Sequence, residues 1–297
     1  MNYTIENEKI SLTVSTLGAQ MQSLKNKENG LEYLWQRDKQ FWGRTAPVLF
    51  PIVGKIVNDE YRCDGKTYKL GQHGFARDME FELTSQTDDT LKFTLKSSDE
   101  TLKLYPYQFE LAITYYILGN KVDVRWDVTN TDSKEIYFSI GGHPAFNCPI
   151  LPGTKQTDYR IGIDSLNEKI VYHEFEDGYV TDNYKEFPLE DGSIPLTEHT
   201  FDHDAYVIEP DAITKNSQAY AYSLIDPNGK RYVTVTSAAP LMGIWSPPQK
   251  NAPFVCIEPW YGRCDHKDFK GEWQEREWGN RLESAETFEG GFTIAIA

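Results

Sequence analysis

The stretch Phe109-Glu-Leu-Ala-Ile-Thr-Tyr-Tyr-Ile-Leu-Gly-Asn-Lys-Val-Asp-Val-Arg-Trp-Asp-Val128 decides the fold class of this chain. Apolar residues occupy every second position on both sides of Gly119-Asn120. This alternation is typical of antiparallel strands that bury one face. Because Gly119-Asn120 favours a tight turn, the stretch predicts a β-hairpin.

The same period of two returns along the rest of the chain, whereas no long segment keeps the 3.6-residue period of a helix. No linker, internal repeat or low-complexity tract divides the sequence. We therefore predict one all-β domain over residues 1–297, either a sandwich or a broad barrel, with helix only as short turns near 188–199 or 265–278. The other alternating runs are 10–14, 91–95, 232–236 and 292–296, and the other turn signals are Asp64-Gly65 and Asp226-Pro-Asn-Gly229.

The composition argues against several classes of function. The chain carries a net charge of −15, which disfavours nucleic acid and anionic membranes as partners because their phosphates demand a basic surface. The first ten residues are polar and no run approaches about 18 apolar residues, so we expect a cytoplasmic protein without signal peptide or membrane span. Four cysteines without CxxC spacing favour reduced thiols: Cys63, Cys148, Cys256 and Cys264.

The segment Ser139-Ile-Gly-Gly-His-Pro-Ala-Phe-Asn-Cys148 contains the first candidate for chemistry. The residues before it predict a strand, and Pro144 favours an extended conformation for His143. An imidazole held at the junction of a strand and a constrained loop suits proton transfer near neutral pH. The alternative is a turn whose histidine only caps the strand.

A second candidate is Glu258, which follows the apolar run Phe254-Val-Cys-Ile257 and precedes Pro259-Trp-Tyr261. A carboxylate beside that much apolar surface is costly unless it is paired or used. Desolvation would raise its pKa toward the range of a general base that works near neutrality. The alternative is a surface glutamate at the end of a strand.

Two further segments place cations among apolar or glycine-rich residues. Arg44 and Lys55 flank a proline-punctuated apolar run, and His73 and Arg77 lie in Gly71-Gln-His-Gly-Phe-Ala-Arg-Asp78. Such loops can present hydrogen-bond donors to a ligand. Solvated surface cations and a structural histidine are the alternatives.

An acidic loop precedes the apolar residues 205–208 and contains Asp202, His203 and Asp204. Together with His199 it could suggest a metal site. We discount that reading because a zinc pair spaced i, i+4 requires a helix, and this segment leads into a strand. A loop that hydrogen-bonds a polyol is favoured over it, with a plain solvated loop as the alternative.

The sequence contains no phosphate-binding glycine loop, no GxSxG elbow and no Cys/His metal spacing, so we expect neither cofactor nor metal. Glu258 as a base and His143 as an acid make a plausible pair. Aromatic side chains suit the apolar faces of a sugar ring.

The order of five motifs resembles the aldose 1-epimerase (galactose mutarotase) superfamily, and most of all its bacterial LacX-like branch. Each motif is weakly specific alone, but the five occur in the matching order along most of the chain. They are Ala46-Pro-Val-Leu-Phe-Pro-Ile-Val-Gly54, His73-Gly-Phe-Ala-Arg77, Gly142-His-Pro-Ala-Phe146, Phe201-Asp-His-Asp204 and Ile257-Glu-Pro-Trp260.

This resemblance implies a large antiparallel β-sandwich and a cofactor-free isomerase that interconverts the α and β anomers of a free aldohexose. Glu258 would remove the proton of the anomeric hydroxyl, and His143 would protonate the ring oxygen. His73, Arg77 and Asp202 would hold ring hydroxyls, with Asp202 favoured over Asp204 by the Phe-Asp match.

One departure from the family pattern concerns the sugar. Galactose mutarotases carry an Asn-Arg pair where this chain has Gly54-Lys55, which leaves the preferred aldose open. A hexose 6-phosphate held by Arg44 and Arg77 ranks second. We rank a neutral monosaccharide first because the chain is acidic and its basic residues near the motifs are few.

Two other classes stay open at this point. One is a carbohydrate-binding protein without turnover, and the other is a glycoside hydrolase with Asp202 and Glu258 as its carboxylates. We expect His73, Arg77, His143, Asp202 and Glu258 to share one cleft with an aromatic wall of Trp245 or Trp260. His143 and Glu258 should lie on opposite sides of the anomeric centre. The sequence leaves monomer and homodimer equally open.

Overall fold

A computed structural model describes residues 1–211 and 217–297 of the chain. The fold is 49% strand and 6% helix, which confirms the prediction of an all-β protein. Every ladder between its named strands is antiparallel.

The strands of the described chain are numbered in chain order. They are β1 (Asn2–Glu6), β2 (Ile10–Ser15), β3 (Met21–Asn26), β4 (Val48–Leu49), β5 (Glu60–Cys63), β6 (Lys66–Lys69), β7 (Glu82–Gln86), β8 (Thr90–Lys96), β9 (Phe109–Leu118), β10 (Lys121–Asn130), β11 (Ile136–Phe138), β12 (Ile140–Gly142), β13 (Ala145–Asn147), β14 (Arg160–Asp164), β15 (Lys169–Glu176), β16 (Tyr179–Pro188), β17 (Ser193–Pro195), β18 (Tyr206–Ile208), β19 (Ala221–Ile225), β20 (Arg231–Ser237), β21 (Leu241–Trp245), β22 (Phe254–Tyr261), β23 (Asn280–Leu282) and β24 (Thr287–Ile296).

Two large sheets dominate the architecture. The first has the order β17-β14-β19-β20-β24-β10-β9-β8-β7, and the second has the order β16-β15-β18-β21-β22-β12-β4, with β13 also paired to β22. Side chains of the two sheets meet in one apolar core, where Trp126 of the first sheet packs against Tyr261 of the second with ring centroids 6.3 Å apart. This face-to-face packing is the predicted β-sandwich. Three smaller sheets are formed by β1-β2-β3, β5-β6 and β11-β23.

The hairpin predicted from residues 109–128 is present as β9 and β10, joined at Gly119-Asn120. The predicted turns at Asp64-Gly65 and 226–229 likewise join β5 to β6 and β19 to β20. The alternating apolar residues of β9 and β10 are buried, because their common face forms one wall of the sandwich core. Period-two alternation therefore located these strands correctly.

The helical predictions had a mixed outcome. A 3-10 turn lies within 265–278 at Trp273–Glu275, but 188–199 contains β17 instead of a helix. The six-residue helix α1, Asp99–Leu104, was missed, although Ser98 and Thr101 form a capping box that marks its start. The remaining 3-10 turns are Val57–Asp59, Ala76–Asp78 and Gln156–Asp158. No helix in the described residues combines the length and apolarity that a membrane span requires.

Strand β22 lies in the middle of the second sheet and is covered on both faces. Val255 and Ile257 point into the core between the two sheets, whereas Cys256 and Trp260 belong to separate apolar clusters on the opposite face. Glu258 shares that opposite face because side chains alternate along a strand. The sequence had placed Glu258 after the strand, and the structure corrects this: the strand continues through Tyr261, and neighbours bury both of its faces.

The indole of Trp260 occupies a slot made by glycines on the two strands beside it. A Cβ atom at Gly243 of β21 would lie 2.4 Å from the Trp260 ring, and one at Gly141 of β12 would lie 2.6 Å from it. Gly243 is also the register partner of Glu258, so this slot lies beside the carboxyl. Small residues on both flanking strands therefore fix where the aromatic ring lies on the sheet.

We expect Gly243→Ala to destabilise the protein, because the new methyl group overlaps a buried ring that cannot move without repacking its neighbours. Overpacking of this kind costs about 1–3 kcal/mol in the free energy of unfolding. The matched control is Gly71→Ala, where an added Cβ meets no atom within 4 Å among the described residues. Urea unfolding midpoints compare the two variants, and an equal loss in both would contradict the proposed slot.

Candidate active site

A cleft of about 300 Å³ opens on the face of the second sheet that points away from the sandwich core. Its size falls at the lower end of the range for small-molecule sites. The described residues that line it include the predicted His73, Arg77, His143, Trp245 and Glu258. The other lining residues are Trp42, Gly54, Gln72, Phe175, Gly178, Asp204, Ala205, Pro248, Trp260 and Cys264.

Glu258 lies at the base of this cleft with its side chain only 2% exposed. It is held by β22, between the paired strands β21 and β12. Loss of hydration raises the pKa of the Glu258 carboxyl well above its ordinary value, and the nearby Asp204 carboxylate raises it further. Burial thereby favours the protonated carboxyl.

His143 follows β12 directly, and its backbone N–H donates to the carbonyl of Pro47 at 3.1 Å. Its ring stacks on Trp42 with centroids 4.8 Å apart and meets Trp245 edge-on. Burial lowers the pKa of His143, and the positive charge of Arg77 lowers it further. Burial therefore favours the neutral imidazole, whereas the acid role expected from sequence requires His143 to carry a second proton.

The imidazole and the carboxyl are direct neighbours. His143 Nε2 lies 3.3 Å from Glu258 Oε2, and both side chains are buried. The expectation that they lie on opposite sides of a sugar ring does not match this geometry, because β12 pairs with β22 and brings both groups to one wall. Two groups this close share protons and titrate as a pair.

His73 reaches the cleft from a strained loop. Its φ is +65° and that of Gly74 is +69°, where a Cβ at Gly74 would lie 2.2 Å from the Phe50 carbonyl oxygen. The backbone N–H of Gly54 donates to His73 Nδ1 at 3.0 Å, so in the neutral ring the proton is on Nε2. Burial lowers the pKa of His73 well below its ordinary value, helped by His143 and Arg77. His73 is thus a fixed neutral donor.

Arg77 lines the cleft, but the other two predicted cations do not. Arg77 Nη2 donates to the carbonyl of Gln72 at 2.6 Å, and burial lowers its pKa to about 10. Arg44 forms an ion pair with Asp78 at 2.9 Å. Lys55 donates to the carbonyl of Asp177 at 3.2 Å. These partners hold Arg44 and Lys55 away from the lining of the cleft.

The acidic loop contributes Asp204 to the cleft in place of Asp202. Trp245 Nε1 donates to Asp204 Oδ1 at 2.8 Å, and burial raises the pKa of Asp204. Asp202 instead contacts His199 Nδ1 at 2.8 Å, away from the lining residues. A φ of +74° at Asp204 turns the chain so that this second aspartate points inward. The motif match alone had favoured Asp202.

Two aromatic residues of the lining were missed as site residues. Trp42 lies two residues before Arg44, but no local feature of the sequence shows that it stacks on His143. Phe175 lies at the end of β15 and reaches the cleft only because β15 belongs to the second sheet. Local sequence carries no signal for either contact, since both join segments that are distant in the chain.

Comparisons with known proteins agree with this architecture. Residues 1–272 match the family described as aldose 1-epimerase. The chain is 33% identical over 273 residues to the chromosomal LacX protein of Lactococcus lactis, with 88% of each chain covered. A crystal structure of a galactose mutarotase-related enzyme from Lactobacillus acidophilus is 37% identical with a TM-score of 0.92, covering all of this chain and 97% of that one. A galactose mutarotase-like protein from Lactobacillus casei is 32% identical with a TM-score of 0.92 over the full length of both chains.

The buried neutral His73 makes a testable contribution to pH-dependent stability. The unfolded chain protonates this histidine near pH 6.5, whereas the folded protein keeps it neutral. Stability linked to this lowered pKa is therefore complete above about pH 6.5 and is lost as the pH falls. His143 and Glu258 together change the unfolding free energy little between about pH 4.3 and 6.5. In that range the pair holds one proton in both the folded and the unfolded state.

We expect the unfolding free energy of wild type to fall more steeply than that of His73→Gln between pH 6 and 5, by about 1 kcal/mol per pH unit. Urea unfolding at closely spaced pH values measures both slopes. His203→Gln, at an exposed side chain, is the control and should keep the wild-type slope. Parallel slopes in wild type and His73→Gln would show that His73 becomes protonated in the folded protein.

Proposed function

The chain belongs to the aldose 1-epimerase family, and we propose that it is a cofactor-free mutarotase for a neutral aldohexose of the galactose or glucose type. One observation carries the proposal: an imidazole and a carboxyl lie 3.3 Å apart at the base of a cleft of monosaccharide size. Neighbouring general acid and base groups suit a reaction that removes a proton from one oxygen and adds a proton to another oxygen on the same carbon.

The chemistry of anomer exchange fits two groups on one wall. The anomeric hydroxyl oxygen and the ring oxygen are bonded to the same carbon, so neighbouring side chains can reach both. Glu258 removes the hydroxyl proton while His143 gives a proton to the ring oxygen. The bond between C1 and the ring oxygen then breaks, and the hydroxyl oxygen becomes the aldehyde oxygen. Rotation about the C1–C2 bond, followed by the reverse transfers, forms the other anomer.

Glu258 and His143 need only one proton between them for both ring opening and ring closure. Ring opening starts from carboxylate and imidazolium and ends with carboxylic acid and neutral imidazole. Burial favours that second state, because it raises the pKa of Glu258 and lowers that of His143. This state suits ring closure, and transfer of one proton from Glu258 to His143 prepares the pair for ring opening without changing the net charge.

The remaining lining residues suit the rest of a sugar. His73 offers its Nε2–H as a donor, and the carboxylate of Asp204 offers an acceptor that Trp245 orients. Trp42 and Trp245 provide aromatic surface beside the reacting pair, on which the apolar face of a pyranose can pack. Fixed donors and acceptors around an apolar wall are the usual composition of a small-ligand site.

The charges of the cleft favour a neutral sugar over a phosphorylated one. Among the described residues, Arg77 is the one guanidinium or ammonium group in the lining, and it already donates to a backbone carbonyl. Glu258 and Asp204 add carboxyl groups, which would repel a phosphate when ionised. Hexose 6-phosphate therefore remains the second candidate substrate. The hydrolase hypothesis named Asp202 and Glu258 as its carboxylates, and Asp202 does not line the cleft.

We expect Glu258→Gln and His143→Asn each to lower catalysed mutarotation at least about 100-fold, because each removes one of two proton transfers. Polarimetry of freshly dissolved α-glucose and α-galactose, with and without protein, measures the rate. Sugar binding followed by calorimetry should persist in both variants, since neither substitution removes the donors and aromatic surface that hold the ring.

The binding measurement separates this proposal from its main competitor. A wild-type protein that binds the sugar but leaves the spontaneous mutarotation rate unchanged would be a carbohydrate-binding protein. Wild-type rates in both variants would also refute the assignment of the acid and the base.

Asp204 and Asp202 form a matched pair for the sugar-binding role. We expect Asp204→Asn to raise the KM about 10–100-fold, the effect of losing one charged hydrogen bond to a ligand hydroxyl. Asp202→Asn should stay within about twofold, as is usual for a surface substitution away from the site. Initial rates over a range of sugar concentrations test both variants, and the opposite ranking would return the ligand role to Asp202.

A further inference from the structure

A buried thiol, that of Cys256, lies close to the reacting pair and takes no part in the proposed proton transfers. His143, Cys256 and Glu258 each offer one ligand atom, and these atoms all lie within 4.8 Å of one another. Cys256 and Glu258 are two residues apart on β22, so they point to the same face. Because β12 pairs with β22, His143 reaches that face from the neighbouring strand.

The geometry of the cluster is close to that of a tetrahedral zinc site. Zinc–nitrogen and zinc–oxygen bonds of about 2.0–2.1 Å put the two ligand atoms about 3.3–3.4 Å apart in a tetrahedron. His143 Nε2 and Glu258 Oε2 are already 3.3 Å apart. A Zn–S bond of about 2.3 Å puts the sulfur about 3.5–3.6 Å from the other two ligand atoms, so the thiol must approach by at most roughly 1.3 Å to complete a three-ligand face.

The charge and hydrogen bonding of the cluster also suit a divalent cation. A thiolate, a carboxylate and a neutral imidazole balance two positive charges, so the buried site would be neutral overall. Glu258 Oε2 is buried and has no hydrogen-bond partner among the described residues. A buried oxygen in this state is stabilised when a cation binds it.

We propose that His143, Cys256 and Glu258 bind Zn²⁺, with the fourth ligand position open to the cleft. Three protein ligands and one open position are typical of accessible zinc sites. His143 Nδ1 has no hydrogen-bond partner among the described residues, so the ring lacks the support that permanent zinc ligands receive. The site therefore binds an exchangeable ion. Zn²⁺ there removes the acid and the base together and inhibits turnover.

Sequence spacing gave no sign of this site. Cys256 and Glu258 are separated by one residue, and His143 lies more than a hundred positions earlier in the chain. Only the pairing of two strands brings the three ligands together.

Cobalt chloride is the probe, because Co²⁺ occupies zinc sites and reports their ligands by absorption. We expect wild-type protein to bind one Co²⁺ with a near-ultraviolet cobalt–thiolate charge-transfer band, which zinc chloride then abolishes by displacement. Cys256→Ser should remove the band and weaken Zn²⁺ binding on the order of 100-fold, since one of three protein ligands is lost. Cys256→Ala gives the same readout if the serine variant does not fold.

Cys148→Ser is the matched control, because Cys148 is equally buried but lies outside the cluster of His143, Cys256 and Glu258. It should keep the charge-transfer band. A wild-type titration without this band, or a band that persists in Cys256→Ser, would overturn the proposal. Binding through exposed histidines such as His199 would give Co²⁺ absorption without the thiolate band and would also overturn it.

A second experiment measures inhibition by Zn²⁺ and depends on the proposed mutarotase activity, whereas the cobalt titration does not. Zn²⁺ should inhibit wild type and Cys148→Ser, and a chelator should restore their rates. Cys256→Ser should keep its activity and resist Zn²⁺ at the same concentration. If wild type lacks mutarotase activity but shows the band, the function fails and the metal site stands.

Discussion

The Glu258 carboxyl lies at the base of the cleft on a central strand, where its charge has little access to bulk water and depends on its neighbours. Val255 and Ile257 of the same strand fill the sandwich core, and Cys256 and Trp260 fill the opposite face. An isolated buried carboxylate would be very unfavourable. The protein reduces that cost by placing His143 within 3.3 Å, so that one proton can be exchanged between two groups.

The backbone around the cleft is arranged to keep these side chains in place. Glycines on both strands beside β22 leave room for Trp260, and the left-handed residues His73 and Gly74 let the loop approach the Phe50 carbonyl. Strained or closely packed backbone of this kind persists only where the surrounding structure determines it. The large sandwich supplies that rigidity, so the reacting groups need no loop movement to meet.

The same desolvation explains both the proposed activity and the proposed sensitivity to Zn²⁺. A low-dielectric wall strengthens the coupling between the imidazole and the carboxyl, which suits proton exchange with a sugar. It also leaves a buried oxygen without a hydrogen bond and a thiol beside it, and a borderline-soft cation satisfies both. A neutral polyol and a metal ion would then compete for one set of groups.

The sequence by itself determined the class of the fold and most of the chemical groups. Alternation in residues such as Leu111, Ile113, Val122 and Val124 is a local property, since one side of a strand must be apolar to be buried. It therefore predicted β9 and β10 correctly, and turn residues predicted the hairpins at Asp64-Gly65 and 226–229. The motif order also pointed to the family, and His73, Arg77, His143 and Glu258 were selected because polar groups in apolar segments are costly without a purpose.

Tertiary structure decided the features that depend on contacts between distant strands. Pairing of β12 with β22 put His143 and Glu258 side by side on one wall, and their common burial set their protonation, which no local pattern encodes. A left-handed turn at Asp204 selected that residue over Asp202, and ion pairing withdrew Arg44 from the cleft. Trp42 joined the site through stacking across the chain. Local sequence fixes which face of a strand is apolar, whereas strand pairing fixes which side chains meet there.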